Sequence, residues 1–413
     1  MFRKVNQQPN QSNRLSWFCS KKVGVFIVVM SALSLVFSLS ACEEPSGESP
    51  STEVPDEGRG ALLSALRHQV LLPLLREVKV SAEEFESTVQ SESISESQAA
   101  WTELMLDWQS LEVLQIGPAG VSGLRIGGED LRDKIYAFPL HNSCRVDQEL
   151  VKESFDQPDW SENRSINVMG LDALERLLFM EPSASACPES SKLIRDGEWA
   201  SFHSDTERAE ASRWRYIKSI TTLLKADIET LLSRWEGAFG DLFEQAQSPF
   251  SSQREAVDQI FAGIYYLDEV IKDLKIGAPA GIYMTCLETS CPEQLEHKES
   301  GISAQALSRN LKSILAIFNG SVETTIDPNH VHGLSSLLKR EGATELAEEL
   351  TSRIESLMQN VDMISSLETT LNEDPTMLAT LHTDLKALCD LMKTQMVTVL
   401  NLSVPQEGAG DND

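Results

Sequence analysis

Two glutamates occupy positions where amphipathic helices should be apolar. With successive helical residues about 100° apart, Glu175 in GLDALERLLF falls between Leu171 and Phe179, inside the apolar face. Glu112 in WTELMLDWQSLEVLQIGP falls in the same way among tryptophan and methionine. An isolated buried carboxylate is costly, so each glutamate needs a hydrogen-bond donor, a cation or a proton.

Asp172 adds a third carboxylate, three residues before Glu175, and residues at this spacing share one face of a helix. Helical bundles build metal sites from carboxylates on facing helices. The sequence therefore predicts a metal or ligand-binding site made of Glu112, Asp172 and Glu175. Because oxygen ligands suit hard or borderline ions, a divalent or iron cation is the candidate cofactor.

Structural partners are the alternative interpretation of these acids. Asp172 could pair at the surface with Arg176, four residues further on. His141, in the loop FPLHNSC, could reach the site, although a surface position is the simpler interpretation. The arginines that could satisfy the two buried glutamates are Arg125, Arg132 and Arg164.

The elements that position these residues are predicted to be helices. Beyond residue 59 the apolar residues recur with helical spacing, and no convincing run alternates as a half-buried strand would. This pattern predicts an all-α fold, with helices over about 60–78, 82–116, 161–181, 199–247, 250–275, 302–325, 331–338, 341–371 and 375–402.

The length of the chain, 413 residues, predicts two helical-bundle domains of roughly four helices each. The boundary is placed at AQSPFSSQRE, where Pro249 lies among serine and glutamine. An N-terminal domain at 60–248 then carries the GLDALE motif, and a C-terminal bundle at 249–404 follows it. Residues 405–413 form an acidic tail.

The N-terminus has the features of a bacterial lipoprotein signal peptide, predicted at residues 1–41. A basic start precedes an apolar run, which ends in LSAC and resembles a lipobox, so Cys42 is the predicted lipidated residue. Glu43 is not the aspartate of inner-membrane retention, which favours the outer membrane of a Gram-negative bacterium, facing the periplasm. Residues 42–59 are acidic and lack apolar residues, as in a disordered tether. An uncleaved membrane anchor is the alternative, although the run is short for a span.

In an oxidising compartment, the five cysteines that remain after Cys19 and Cys42 are set aside suggest two disulfides and one free thiol. Cys286 and Cys291 in CLETSC are close enough to clip a loop, and Cys144 with Cys187 could join the segments that flank the GLDALE motif. Cys389 lies in a helical pattern and is predicted to be a buried thiol. No paired CxxC spacing occurs, so a zinc site made from cysteines is not expected.

The chain carries a formal net charge of −28, which argues against nucleic acid as a partner because phosphate binding needs a basic surface. The sequence lacks GxSxG, HExxH, Walker and dinucleotide-binding motifs. A conventional hydrolase or nucleotide enzyme is therefore poorly supported.

Several segments, in the same order, resemble the imelysin family, whose signature is GxHxxE followed by Leu-Leu-Phe. The segments are AWTELMLDWQSLEVLQIGP, DKIYAFPLHNSCRVDQELV, INVMGLDALERLLF, IYYLDEVIKDLKIGAPAGI and the acidic LNLSVPQEGAGDND. The motif glycine falls on Gly170, the motif glutamate on Glu175, and the acid before the Gly-Pro turn on Glu112. Asp172 stands where the family has histidine, and this removes the neutral nitrogen ligand.

The resemblance implies two α-helical bundles and a role in iron or haem uptake, with the membrane, through Cys42, and envelope uptake proteins as partners. The leading hypothesis is an imelysin-like envelope lipoprotein that binds a cation or a metal-bearing ligand as an accessory to uptake. A divergent metallopeptidase is the second hypothesis, although the missing motif histidine argues against an enzyme. A non-catalytic scaffold that binds a protein partner is the third.

Overall fold

Helices form the framework of the chain, which confirms the prediction of an all-α fold. The computed structural model describes residues 56–157, 159–163, 165–179, 181, 183–323 and 332–403, and no strand occurs within these ranges. The predicted signal peptide, Cys42, nearly all of the tether, and the acidic tail lie outside the described residues. No helix among the described residues is long and apolar enough to span a bilayer.

The first 248 residues contain eleven α-helices within their described ranges. They are α1 (Glu57–Ala65), α2 (Leu72–Gln90), α3 (Ile94–Glu112), α4 (Leu131–Ile135), α5 (Ser143–Lys152), α6 (Trp160–Asn163), α7 (Gly170–Phe179), α8 (Lys192–Arg195), α9 (Glu198–His203), α10 (Thr206–Glu236) and α11 (Ala238–Glu244). The remaining helices are α12 (Gln253–Ile264), α13 (Ser303–Asn319), α14 (Leu334–Arg340), α15 (Thr344–Asp362), α16 (Leu367–Glu373), α17 (Pro375–Leu391) and α18 (Val397–Leu400).

Shorter helical segments of other pitch connect or extend these helices. The π-helical segments are Leu66–Leu71, Leu267–Gly277 and Met392–Met396. Single 3₁₀ turns cover Gly117–Ala119, Ser154–Asp156, Ile166–Val168 and Pro292–Gln294.

Four of the predicted helix ranges are divided in the structure: 82–116, 161–181, 199–247 and 341–371. The prediction of one helix over 82–116 was wrong, because α2 ends at Gln90 and α3 begins at Ile94. Between them Glu92 has a φ of 53°, in the left-handed region, and Ser93 is extended. The range 199–247 is broken before α10, where the Asp205 side chain accepts the Arg208 N–H and caps the new helix. Local hydrogen bonding therefore overrides a continuous apolar pattern.

Helix α3 lies at the centre of the packing around the predicted site. It packs against α2 and α7 on one side and against α13 on another, while the long α10 packs against both α2 and α7. Helix α1 also contacts α12. Helices from both sides of the proposed boundary at 248/249 are therefore in contact, and the division into two bundle domains stays a prediction.

Both predicted cysteine pairs form disulfides. Cys144, at the start of α5, is bonded to Cys187 in the segment after α7, and Cys286 is bonded to Cys291 in the loop before α13. Cys389 is a free thiol buried in α17, as predicted. The first disulfide joins the two segments that flank the GLDALE helix.

Gly170 begins α7 at a position that other residues cannot adopt easily. Its φ is +75°, and a Cβ atom there would lie 2.6 Å from the Ile135 carbonyl oxygen and 3.0 Å from that of Lys134. The backbone at the start of α7 thus packs directly against the backbone at the end of α4. The motif glycine has a steric explanation that requires no ligand.

We expect Gly170→Ala to lower the free energy of unfolding by at least about 3 kcal/mol, because the substitution adds both backbone strain and a clash with rigid backbone. Gly197 is the matched control, since its φ is +74° but a Cβ there would meet nothing within 4 Å. Gly197→Ala should cost about 1 kcal/mol. Urea denaturation measures both values, and equal losses would contradict the steric role of Gly170.

Candidate functional site

Glu112 is buried at the end of α3 and is fully satisfied by protein donors. Its Oε1 accepts hydrogen bonds from Nη2 of Arg132, at 3.2 Å, and from the Tyr266 hydroxyl. Its Oε2 accepts from Nζ of Lys275 at 2.6 Å and from Nδ2 of Asn310 at 3.4 Å. Structural donors therefore satisfy this carboxylate, and Arg132 is one of the three arginines considered from the sequence.

Lys275, near the end of the π-helical segment, places its ammonium group among four oxygen atoms. Besides Glu112, Nζ lies 2.8 Å from Oε1 of Gln109, 2.9 Å from Oδ1 of Asn310 and 2.9 Å from Oε1 of Glu296. The side chain of Lys275 is only 2% exposed. This ammonium group is an internal cation with the oxygen surroundings that a bound metal ion would otherwise need.

Glu175 is buried on α7 and faces the loop that precedes α13. Its Oε2 lies 2.8 Å from Nδ1 of His297. Its Oε1 accepts hydrogen bonds from the Ser300 amide, at 3.1 Å, and from the Ser300 hydroxyl, at 2.7 Å. Both oxygens of the motif glutamate are thus bound by the protein.

His297 links Glu175 to the cluster around Lys275. Its Nε2 lies 3.1 Å from Nε2 of Gln109 and 3.7 Å from Oε1 of Glu296. Burial by itself lowers the pKa of His297, but the charges of Glu175 and Glu296 outweigh this effect and raise the pKa to about 9. His297 also has a φ of 55°, and such strain in a residue other than glycine persists only where surrounding contacts hold it.

Glu296 completes the cluster between Lys275 and His297. Its Oε1 accepts a hydrogen bond from the Tyr136 hydroxyl in addition to the Lys275 contact. Burial opposes its ionisation, but the positive charges of Lys275 and His297 keep the pKa of Glu296 below its ordinary value. Burial and the nearby carboxylates raise the pKa of Tyr136, which therefore stays a neutral donor.

Asp172 is buried and does not pair with Arg176. Its Oδ2 accepts a 2.6 Å hydrogen bond from the Ala137 amide, and its Oδ1 lies 3.6 Å from Nδ1 of His141. Arg176 instead forms a two-pronged ion pair with Asp147 on α5, at 2.7 and 2.9 Å. Burial raises the pKa of Asp172, although His141 and the Ala137 amide oppose the shift.

A small polar cavity lies beside these motif residues. Its volume of about 20 Å³ is enough for one water molecule or a small ion. The lining includes Asp172, Glu175, His141, Ser143 and His297. His141 is more than a third exposed and forms part of the opening.

The predicted set of three acids does not form a metal site in this conformation. Within the described ranges, no group of three or more His, Cys, Asp or Glu side chains is placed to hold a metal ion. Lys275 and Arg132 neutralise Glu112, while Ser300 and His297 bind both oxygens of Glu175. Asp172 also lines the cavity, and its Oδ1 lies 3.6 Å from Nδ1 of His141, a possible nitrogen ligand.

Sequence reasoning missed Lys275, Glu296 and His297. Lys275 had a usable signal, because it continues the i, i+4 apolar series of Leu267 and Ile271, which is the same pattern that identified the two glutamates. Glu296 and His297 lie in an irregular loop, where no periodicity indicates burial.

The chain matches the family model described as Imelysin over residues 67–392. Its structure is similar to an imelysin-like protein from Psychrobacter arcticum 273-4, with a TM-score of 0.63 and 15% sequence identity over 85% of this chain and 98% of that chain. It is also similar to a protein from Parabacteroides distasonis ATCC 8503, provisionally named an iron-regulated protein A precursor. That TM-score is 0.60, at 15% identity, over 84% of this chain and 97% of that one. No curated protein matches significantly.

We expect Lys275→Met to lower the free energy of unfolding by about 3 to 5 kcal/mol, because it leaves Glu112 and Glu296 buried without their shared positive charge. Lys225→Met is the matched control, since the Lys225 pair with Glu86 lies at the surface, where solvent screens it, and should contribute little to stability. Urea unfolding of both variants gives the comparison. Similar small losses would show that the ammonium group does not hold the cluster together.

The raised pKa of His297 predicts a loss of stability at alkaline pH. With an unfolded pKa near 6.5 and a folded pKa of about 9, the stabilisation is complete below pH 6.5 and disappears as pH rises through 9. The full change should be up to about 3 kcal/mol. Urea unfolding across this range should show the loss in the native protein and much less of it in His297→Gln.

An exposed histidine supplies the control for this measurement. His68→Gln should retain the pH dependence of the native protein, because His68 lies at the surface beside Glu244. NMR titration of the His297 ring protons gives its pKa directly. A value below 6.5 would contradict the assignment of a charged imidazole and would show that the contact with the Gln109 amide dominates.

Proposed function

This chain belongs to the imelysin family, and from that premise we propose that it is an envelope accessory protein that binds a small cation or a metal-bearing ligand during iron handling. The name of the structural neighbour from Parabacteroides distasonis supports the connection with iron. Lipid anchoring at Cys42 in the outer membrane, and envelope uptake proteins as partners, belong to the same proposal.

The observation that carries the proposal is the arrangement of Asp172 and His141 at the small cavity. Their facing atoms are 3.6 Å apart, longer than a hydrogen bond, and two ligands of one ion at a tetrahedral angle are about 3.4 Å apart. His141 supplies an imidazole nitrogen near the position where the family motif has its histidine. Because His141 is partly exposed, a ligand could reach this pair from solvent.

Two protein donors leave most coordination positions of an ion free. A bare ion should therefore bind weakly, and an ion that already carries other ligands fits the arrangement better. The cavity of about 20 Å³ admits an ion but not a haem group, so a larger ligand would remain outside the opening.

The contacts of Glu175 favour a protein that binds a cation over a protein that hydrolyses peptides. A metallopeptidase needs a carboxylate that ligates the metal or takes a proton from the attacking water. Here both oxygens of Glu175 are engaged by His297 and Ser300. The motif glutamate fits the role of a structural acid that orients the loop beside the cavity.

Calorimetry on the mature chain tests the proposal, with ferrous, ferric, manganese and calcium ions and with haem as probes. We expect Asp172→Asn and His141→Gln each to weaken cation binding at least tenfold, because each removes one of two donors. His203→Gln and Asp133→Asn are matched controls at other positions and should bind as the native protein does.

Two outcomes would contradict the proposal. Cation binding that is unchanged in both Asp172→Asn and His141→Gln would place the site elsewhere. Peptide cleavage that is lost with a chelator and in Glu175→Gln would establish a metallopeptidase instead. Urea unfolding of each variant separates loss of binding from loss of fold.

A further inference from the structure

A second and much larger cavity lies at the C-terminal end of α7. Its volume is about 630 Å³, within the range of pockets that bind small molecules. It is formed by α7, α5, α9 and the first turns of α10, with the start of α3 at one side. The motif cavity with Asp172 and Glu175 lies nearer the other end of the same helix.

Positively charged and polar side chains line the inner part of this cavity. Arg176 is buried, and its Nη1 has no hydrogen-bond partner among the described residues, although its other nitrogens bind Asp147 and the Ala184 carbonyl. A buried guanidinium nitrogen that lacks an acceptor is costly. An anionic group in the cavity would supply that acceptor.

Arg213 and His203 add further donors to the same inner surface. Nε and Nη2 of Arg213 donate to the carbonyl oxygens of Leu177 and Leu178, which carry no charge. Nε2 of His203 is buried without a partner in the part of the chain that the structure describes. Burial, with the charges of Arg176 and Arg213, lowers the pKa of His203, so the ring is neutral at pH 7 and can donate one hydrogen bond.

Most acidic residues of the cavity lie at its rim, whereas the basic residues lie in its inner part. Glu92, Glu181 and Glu210 are exposed and lie at the rim, and Glu92 is paired with Lys218 at 2.6 Å. The buried acid, Asp147, is already held by Arg176, the Ser185 hydroxyl and the Ala186 amide. The inner surface is therefore positive and the rim is negative.

Aromatic and aliphatic side chains form the remaining walls. Trp199 and Trp214 are buried and line the cavity with Leu150, Leu177 and Phe179. The Trp199 indole N–H is already bonded to the Ser183 carbonyl, so the ring offers an apolar face to a ligand. The cavity thus combines an anion-binding end with an apolar wall.

We infer that this cavity binds a small amphipathic anion, a carboxylate attached to an apolar or aromatic body. The carboxylate would accept hydrogen bonds from Arg176, Arg213 and His203, and the apolar body would pack against Trp199 and Trp214. This site is separate from the cation site proposed above and does not depend on it.

Decanoate and 1-naphthylacetate are the probes, measured by calorimetry and by quenching of tryptophan fluorescence in the complete mature chain. Decanol and decyltrimethylammonium are the neutral and cationic controls. We expect both anions to bind, and both control compounds to bind at least tenfold more weakly. No binding of either anion, or equal binding of decanol, would overturn the inference.

Substitutions locate the binding. Arg213→Met should weaken binding of the anions at least tenfold, whereas Arg234→Met, on the exposed face of the same helix, should not change it. Ala209→Trp should abolish binding by filling the cavity, because Ala209 is buried in its wall. Glu210→Trp, at the exposed rim, should obstruct the opening without disturbing the core, and it keeps the test valid if Ala209→Trp does not fold.

Anion binding that survives both Ala209→Trp and Glu210→Trp would place the ligand elsewhere and refute the inference. Cation binding at Asp172 and His141 should be unchanged in Glu210→Trp. Failure of the cation proposal therefore leaves the anion result interpretable, and the reverse also holds.

Discussion

The buried ammonium group of Lys275 is the interaction on which the rest of the site depends. It joins Gln109 and Glu112 of α3, Asn310 of α13 and Glu296 of the loop before α13, all within 2.6 to 2.9 Å. A charge removed from water is tolerated only when nearly all of its hydrogen bonds are made. The four acceptors therefore fix the relative positions of α3, α13 and the π-helical segment that carries Lys275.

The GLDALE motif is connected to this cluster through one loop. Glu296 contacts Lys275, and the next residue, His297, contacts Glu175 on α7. His297 holds a left-handed backbone conformation within this chain of contacts. The motif glycine serves the same arrangement, because its missing side chain lets α7 approach the end of α4. Much of the family motif thus has a structural explanation in this protein, and the ligand hypotheses concentrate on Asp172 and His141.

Helix α7 separates two cavities of different chemistry. Near the motif, a cavity of about 20 Å³ is lined by carboxylates, imidazoles and Arg176, and the proposed cation ligands there are Asp172 and His141. At the other end, a cavity of about 630 Å³ has the guanidinium groups of Arg176 and Arg213 and tryptophan walls, which suits an amphipathic anion. Arg176 lines both cavities and is held by Asp147 between them. A chain with a net charge of −28 therefore still presents a positive inner surface, because charge distribution rather than net charge decides local binding.

The sequence by itself determined the helical class, the two cysteine pairs and the burial of Glu112 and Glu175, because helical periodicity and cysteine spacing are local properties of the chain. It also indicated Arg132 as one possible ion-pair partner of a buried glutamate. Only the tertiary structure decided which donors satisfy each carboxylate. Lys275 is 163 residues from Glu112, and His297 is 122 residues from Glu175. Such contacts depend on how helices pack and on a loop that has no periodic signal, so the choice between an ion and a structural donor could not be made from the sequence.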